Sequence, residues 1–203
     1  DESIALIHQV GDVLINEALQ ESARLAEVDG PFPDYHAEAV LASPFLKANA
    51  SEETMEMIKK HGLRNSQLLT IAPTGSISTL IGCSNGLEPL FQIAYTRKSE
   101  SLHLQDTYYK VFTPIVKEYM NINKIDEEAD LPDFIVTTST LDYQDRIRVQ
   151  AAWQEHIDAS ISSTVNVPNE FTISQVEDLY TYAWEQGLKG ITIYRDGCER
   201  SGI

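Results

Sequence analysis

The chain has 203 residues, 42% of them apolar, and carries a formal charge of −16 from 31 acidic and 15 basic side chains. That length and apolar content suffice for one α/β domain spanning 1–203, while the negative field opposes binding to a nucleic acid polymer or an anionic membrane surface. No apolar run approaches a bilayer span, no signal segment is recognisable, and Cys83 and Cys198 make no disulfide framework, so the expectation is a soluble chain in the cytoplasm.

Taken in order, the chain opens inside a helix whose Ile4, Ile7, Val10, Leu14, Ala18 and Leu25 fall on one face, and Gly30-Pro31 stops it. Pro33 and Pro44 bracket a short helix over Tyr35 to Ala42. Ser51, followed by Glu52 and Glu53, caps another helix that ends near Gly62. Leu68 to Ala72 reads as a strand running into Pro73-Thr74-Gly75-Ser76-Ile77-Ser78, a small, hydroxyl-rich turn that opens a helix. Such a turn aims free backbone N–H groups at one point, which suits an anion and above all a phosphate; local N–H groups do this even inside a negative overall field. The plainer alternative is a strand-to-helix connection whose Thr and Ser only cap the helix.

Cys83-Ser84-Asn85-Gly86 reads as a tight turn, Leu87 to Tyr95 as extended, Tyr108 to Met120 as an amphipathic helix and Asn121 to Asp133 as an exposed acidic stretch. Asp142 caps a helix through Ile147, Ala151, Trp153 and Ile157, and Ser160 to Val167 follows as a strand. Ser174 with Glu177 forms a capping box for a helix through Val176, Leu179, Tyr180, Ala183 and Trp184, which Gly187 ends. Gly190 to Arg195 is the next strand, and strand, helix, strand at this spacing is a parallel βαβ unit with a right-handed crossover. The fold class is α/β, without internal repeats.

The five histidines, His8, His36, His61, His103 and His156, lack the spacings of metal sites, and neither cysteine has a ligand partner nearby, so no metal site is read. Walker, Gly-x-Gly-x-x-Gly and Gly-x-Ser-x-Gly motifs are absent. Cys83, alone after an apolar segment, reads as a small buried residue.

A family resemblance rests on several segments together. Asn65-Ser66-x-Leu68-Leu69 to Ala72-Pro73-Thr74-Gly75-Ser76-Ile77-Ser78, then Gly82-Cys83-Ser84-Asn85-Gly86-Leu87-Glu88-Pro89, resembles the substrate phosphate loop and following turn of the large subunit of ribonucleotide reductase. Ser162-Ser163-Thr164-Val165-Asn166-Val167-Pro168 is similar to the penultimate strand region of that catalytic barrel, and Gly187 to Gly197 to its last strand; Gly30-Pro31-Phe32 and Ala42-Ser43-Pro44-Phe45 agree as well. The resemblance covers essentially the whole chain.

It implies the C-terminal part of a ten-stranded α/β barrel in an enzyme that converts ribonucleotides to 2′-deoxyribonucleotides by thiyl radical chemistry, re-reduced by a thioredoxin-like protein. It implies that Thr74, Gly75, Ser76, Ile77 and Ser78 bind the substrate phosphates, with Pro73, Glu88 and Tyr194 as candidates for lining the site. The family's radical cysteine lies in an Asn-x-Cys-x-Glu motif, absent here. Cys83 and Cys198 match neither that residue nor the reducing pair, so the expectation is no catalytic residue in this chain and radical machinery upstream of Asp1. Members that import a radical from a metal-containing subunit carry two adjacent tyrosines near the last strand. Here Tyr194 stands beside Ile193, which favours the adenosylcobalamin-dependent class. The alternatives are the same barrel served by a metal-containing radical subunit, and a non-catalytic phosphate-binding or assembly module. Part of a barrel exposes strand edges, which favours pairing with another copy of the chain.

Overall fold

The computed structural model describes residues 2–100 and 106–197; His103 and Cys198 lie outside them. The described residues form two compact units, one from 2–72, 143–162 and 173–191, the other from 73–100, 106–142, 163–172 and 192–197.

The first unit is helical scaffold. Helix α1 (Glu2–Asp29) ends where the sequence predicts, with Gly30 at φ +78° and its N–H donating to Ala26 O. The face it buries is not the predicted one. Gly11, Ile15, Leu19, Ser22, Ala23 and Ala26 turn inward, while Val10, Leu14 and Leu25 are exposed. The helix is apolar around much of its circumference, so periodicity alone names no single face; the face used is the one whose small residues allow neighbouring helices to come close.

Short helices α2 (Ala37–Leu41) and α3 (Pro44–Asn49) follow, then α4 (Glu52–His61). The last is capped as its sequence requires: Ser51 Oγ accepts the Thr54 N–H at 3.1 Å, and Gly62 ends the helix at φ +80°. Ile15, Leu19, Leu46, Ile58 and Leu63 form a buried cluster edged by Phe32, Tyr35 and Phe45. Beside it, the half-buried Asn16 amide uses its full bonding capacity. Its Nδ2 donates to Asp12 O and Asn49 O, and its Oδ1 accepts from Ser51 N–H and Thr54 Oγ1, tying α1 to the start of α4.

Helices α7 (Tyr143–Gln154) and α8 (Ile173–Glu185) complete this unit. Helix α8 starts before the predicted cap, so Ser174 lies inside the first turn. Thr172 and Gln175 repeat the cap-and-reach-back pattern two residues earlier. Leu68 to Ala72, expected as a strand, makes a single parallel bridge, Ile71 to Ile161, and is held both by backbone bonds from Ala159 and Ser162 N–H to Leu69 and Ile71 O and by Asp158, whose carboxylate accepts the N–H groups of Leu68 and Leu69 at 2.8 and 2.7 Å.

The second unit contains α5 (Gly75–Ile81), strands β1 (Ala94–Glu100) and β2 (Asp106–Phe112), α6 (Pro114–Asn123), and strands β3 (Thr164–Val167) and β4 (Thr192–Arg195). The helix expected from Tyr108 is corrected here. Asp106–Phe112 is a strand paired antiparallel with β1, and the helix begins only at Pro114. The signal is in the sequence: Thr107, Tyr108, Tyr109, Val111 and Phe112 are β-branched or aromatic, and Pro114 sits at a first helical position. Strands β3 and β4, joined in sequence through α8, pair in parallel from Thr164 opposite Thr192 to Val167 opposite Arg195, as expected. Among the described residues the strands number four, in two two-stranded sheets. They close no barrel, since closure needs each strand to have neighbours on both sides.

Ile58 is 0% exposed in the cluster, and Val28 is 80% exposed. Ile58→Ala is expected to lower the unfolding free energy by about 2–4 kcal/mol, and Val28→Ala by less than about 0.5 kcal/mol, measured by urea titration; equal losses would contradict this assignment of the core.

Candidate functional site

Every site residue predicted from the sequence falls in the second unit. The turn is built on Thr74, which precedes α5 in the left-handed conformation (φ +52°, ψ +24°). Its side chain makes no bond to its own helix. Instead Thr74 Oγ1 accepts the Gly86 N–H at 2.9 Å, across the Cys83 to Gly86 turn. Thr74 O in turn accepts the Ser78 N–H at 2.8 Å.

Ser78 is 2% exposed and faces inward. Its hydroxyl lies 2.8 Å from Thr74 O and 3.0 Å from Gly75 O, and also meets the side-chain oxygen of Asn85. Of the five loop residues, Ser78 is therefore the one whose hydroxyl and N–H are both engaged inside the protein. Pro73, Thr74, Gly75, Ser76 and Ile77 are exposed. The N–H groups of Gly75, Ser76 and Ile77 occupy the first turn of α5, where no intrahelical acceptor exists. A Cβ built on Gly75 would meet no atom within 4 Å, and its φ is not positive. Neither packing nor backbone conformation requires glycine at this position.

The following turn anchors the loop. Gly82 ends α5 at φ +76°, and a Cβ there would press on Pro114 at 3.2 Å. This reversal corrects the reading of Cys83: with its N–H held by Ser78 O at 3.1 Å, Cys83 is exposed, not buried. It lines an open apolar cleft of about 410 Å³ with Pro89, Leu90, Val116, Tyr119 and Phe134. Glu88 is half-buried, and its Oε1 accepts the Thr164 N–H at 2.9 Å, linking the turn to β3. Tyr194 is half-buried in β4, opposite Asn166 of β3.

Loop, turn, β3 and β4 thus form one bonded chain from Thr74 to Tyr194. Sequence reasoning named both ends. It missed Asn85 and Gly86 as the loop's anchors, although both stand in the turn it identified. Chemically, the first-turn N–H groups of Gly75, Ser76 and Ile77 and the exposed Ser76 suit an anion, and Glu88 ties the turn to β3.

Comparison with known proteins identifies the family. The family described as ribonucleotide reductase, barrel domain, matches residues 1–194. A vitamin B12-dependent ribonucleoside-diphosphate reductase of Mycobacterium tuberculosis is 30% identical over 219 aligned residues, covering 100% of this chain and 29% of the relative. The protein of the same name from Thermoplasma acidophilum is 29% identical, with 96% of this chain and 25% of the relative covered. A vitamin B12-dependent ribonucleotide reductase of Streptomyces coelicolor is 27% identical, with 98% and 25% covered. The chain therefore spans between a quarter and three-tenths of the length of these relatives. The match over residues 1–194 establishes that the chain belongs to the ribonucleotide reductase barrel-domain family.

Proposed function

We propose that this chain is the part of an adenosylcobalamin-dependent ribonucleotide reductase that holds the substrate ribonucleotide by its phosphates. The observation that carries the reading is family membership across the loop and both strands that frame it; the relatives named as vitamin B12-dependent support the class. The loop's geometry is in keeping with it. Phosphate oxygens accept the N–H groups of Gly75, Ser76 and Ile77 and the Ser76 hydroxyl, and Gly75 admits them close to the backbone because nothing else fills the space beside it. Thr74 and Ser78 act by holding the turn, Pro73 stiffens its entry, Glu88 fixes β3 beside it and Tyr194 borders it from β4.

When bound, adenosylcobalamin supplies the radical that starts the reaction. The apolar cleft beside Cys83, at about 410 Å³, is in the range of small-ligand pockets, and no residue of this chain is assigned to the cofactor. The thiyl chemistry and the reducing pair are likewise assigned to the rest of the enzyme, with a thioredoxin-like reductant and deoxyribonucleotides as the product. Tyr194 beside Ile193 supports this class over one that imports its radical through paired tyrosines.

In the full-length enzyme, reduction of a ribonucleoside diphosphate is expected only when adenosylcobalamin is added; turnover without it would remove the class assignment. In the same protein Ser76→Asp should raise the substrate dissociation constant by at least about tenfold, because it sets a carboxylate beside the phosphates. Gly75→Ala should also weaken binding while leaving the unfolding free energy unchanged or raised by up to about 1 kcal/mol. Unaltered dissociation constants in both variants would make the loop structural only.

A further inference from the structure

Two of the histidines, 148 residues apart, meet where α1 faces the end of α7 in the first unit. His8 Nδ1 lies 3.0 Å from His156 Nε2, with the rings edge to face at a centroid separation of 5.3 Å. Glu155 Oε2 is 3.9 Å from the same His8 nitrogen. One donor atom from each of His8, Glu155 and His156 falls within 4.8 Å of the others.

The surroundings prepare His156 as a ligand. It is 5% exposed, and its second nitrogen, Nδ1, stands 3.0 Å from Asn49 Oδ1 and 3.4 Å from Asp12 Oδ1. The Asn49 amide is oriented independently, because its Nδ2 donates to Phe45 O and Glu155 O at 3.0 Å each, which leaves oxygen facing the ring. An acceptor there fixes the proton of His156 on Nδ1 and directs the Nε2 lone pair at His8, the way proteins orient a metal-binding imidazole. Gly11 makes the seat: a Cβ at that position would lie 2.4 Å from His156 Cδ2, so the ring rests against bare α1 backbone.

We propose that His8 Nδ1, His156 Nε2 and the Glu155 carboxylate form a binding site for a divalent transition metal of the zinc class, with a fourth position open to water. Two imidazole nitrogens on one tetrahedral ion stand about 3.3 Å apart. Binding therefore needs His8 in the tautomer with its proton on Nε2 in place of Nδ1, parts the two facing nitrogens by a few tenths of an ångström and seats the ion beside the line that joins them. Glu155, whose side chain is 69% exposed, swings through the remaining distance freely. Two imidazoles with one carboxylate select zinc-like ions over magnesium or calcium, which take oxygen ligands. Bound there, the ion fastens α1 to the end of α7.

The test is equilibrium dialysis of the chelator-stripped full-length protein against Zn²⁺, with metal analysis and thermal melts. The wild type should hold one equivalent of zinc per chain more than His8→Ala, Glu155→Gln should bind that equivalent about tenfold more weakly, and zinc should raise the melting temperature of the wild type more than that of His8→Ala. His36→Ala and Cys83→Ser should keep the equivalent. Equal zinc content and equal melting shifts in the wild type and His8→Ala would overturn the site, as would loss of that equivalent in Cys83→Ser with retention in His8→Ala.

Discussion

The candidate site depends on Thr74 being held in the left-handed backbone region. For a β-branched residue this conformation costs about 1–2 kcal/mol, and glycine would adopt it without that cost. Threonine supplies what glycine cannot, a side-chain oxygen that accepts the Gly86 N–H, while its carbonyl accepts the Ser78 N–H. These bonds offset the strain and set the direction in which α5 leaves the turn. The direction of α5 decides where the free N–H groups of Gly75, Ser76 and Ile77 point. One side-chain acceptor thus ties the turn before α5 to the loop that follows it.

From Gly86 the constraint passes along the second unit. Asn85 meets the buried Ser78 hydroxyl, Glu88 takes the Thr164 N–H, and the β3 backbone pairs with β4. Burial and exposure divide the labour. Ser78 is sealed inside, so it supports the turn; Gly75 and Ser76 are open, so they are the residues proposed to meet a phosphate. The first unit contributes rigidity of another kind, an aliphatic cluster beside the fully engaged Asn16 amide, with the helix caps at Ser51 and Gly62 setting where α4 begins and ends.

Much of this was legible in the sequence where a local rule decides the outcome. Ser51 and Gly62 bound α4 because capping is local chemistry, and Gly30 ends α1 for the same reason. The parallel pairing of β3 with β4 follows from the spacing of two short β-prone runs around one helix. Readings failed where a rule allowed two answers. The periodicity of Tyr108 to Met120 suggested a helix, but β-branched and aromatic content up to Phe112 and the start signal at Pro114 carry more weight. The buried face of α1 was misread because several of its faces are apolar. Cys83 was misread because exposure there depends on the reversal at Gly82. The meeting of His8 with His156 had no sequence signal at all, since a contact across 148 residues comes from tertiary packing.

The proposed role of the first turn of α5 is to receive the substrate's phosphates. Hydrogen–deuterium exchange of the full-length enzyme, comparing a ribonucleoside diphosphate with the corresponding nucleoside, tests it at the atoms concerned. The diphosphate is expected to slow exchange at the amides of Gly75, Ser76 and Ile77 while the nucleoside leaves them unchanged. Exchange there that is the same with and without the diphosphate, under conditions where the nucleotide is bound, would contradict it.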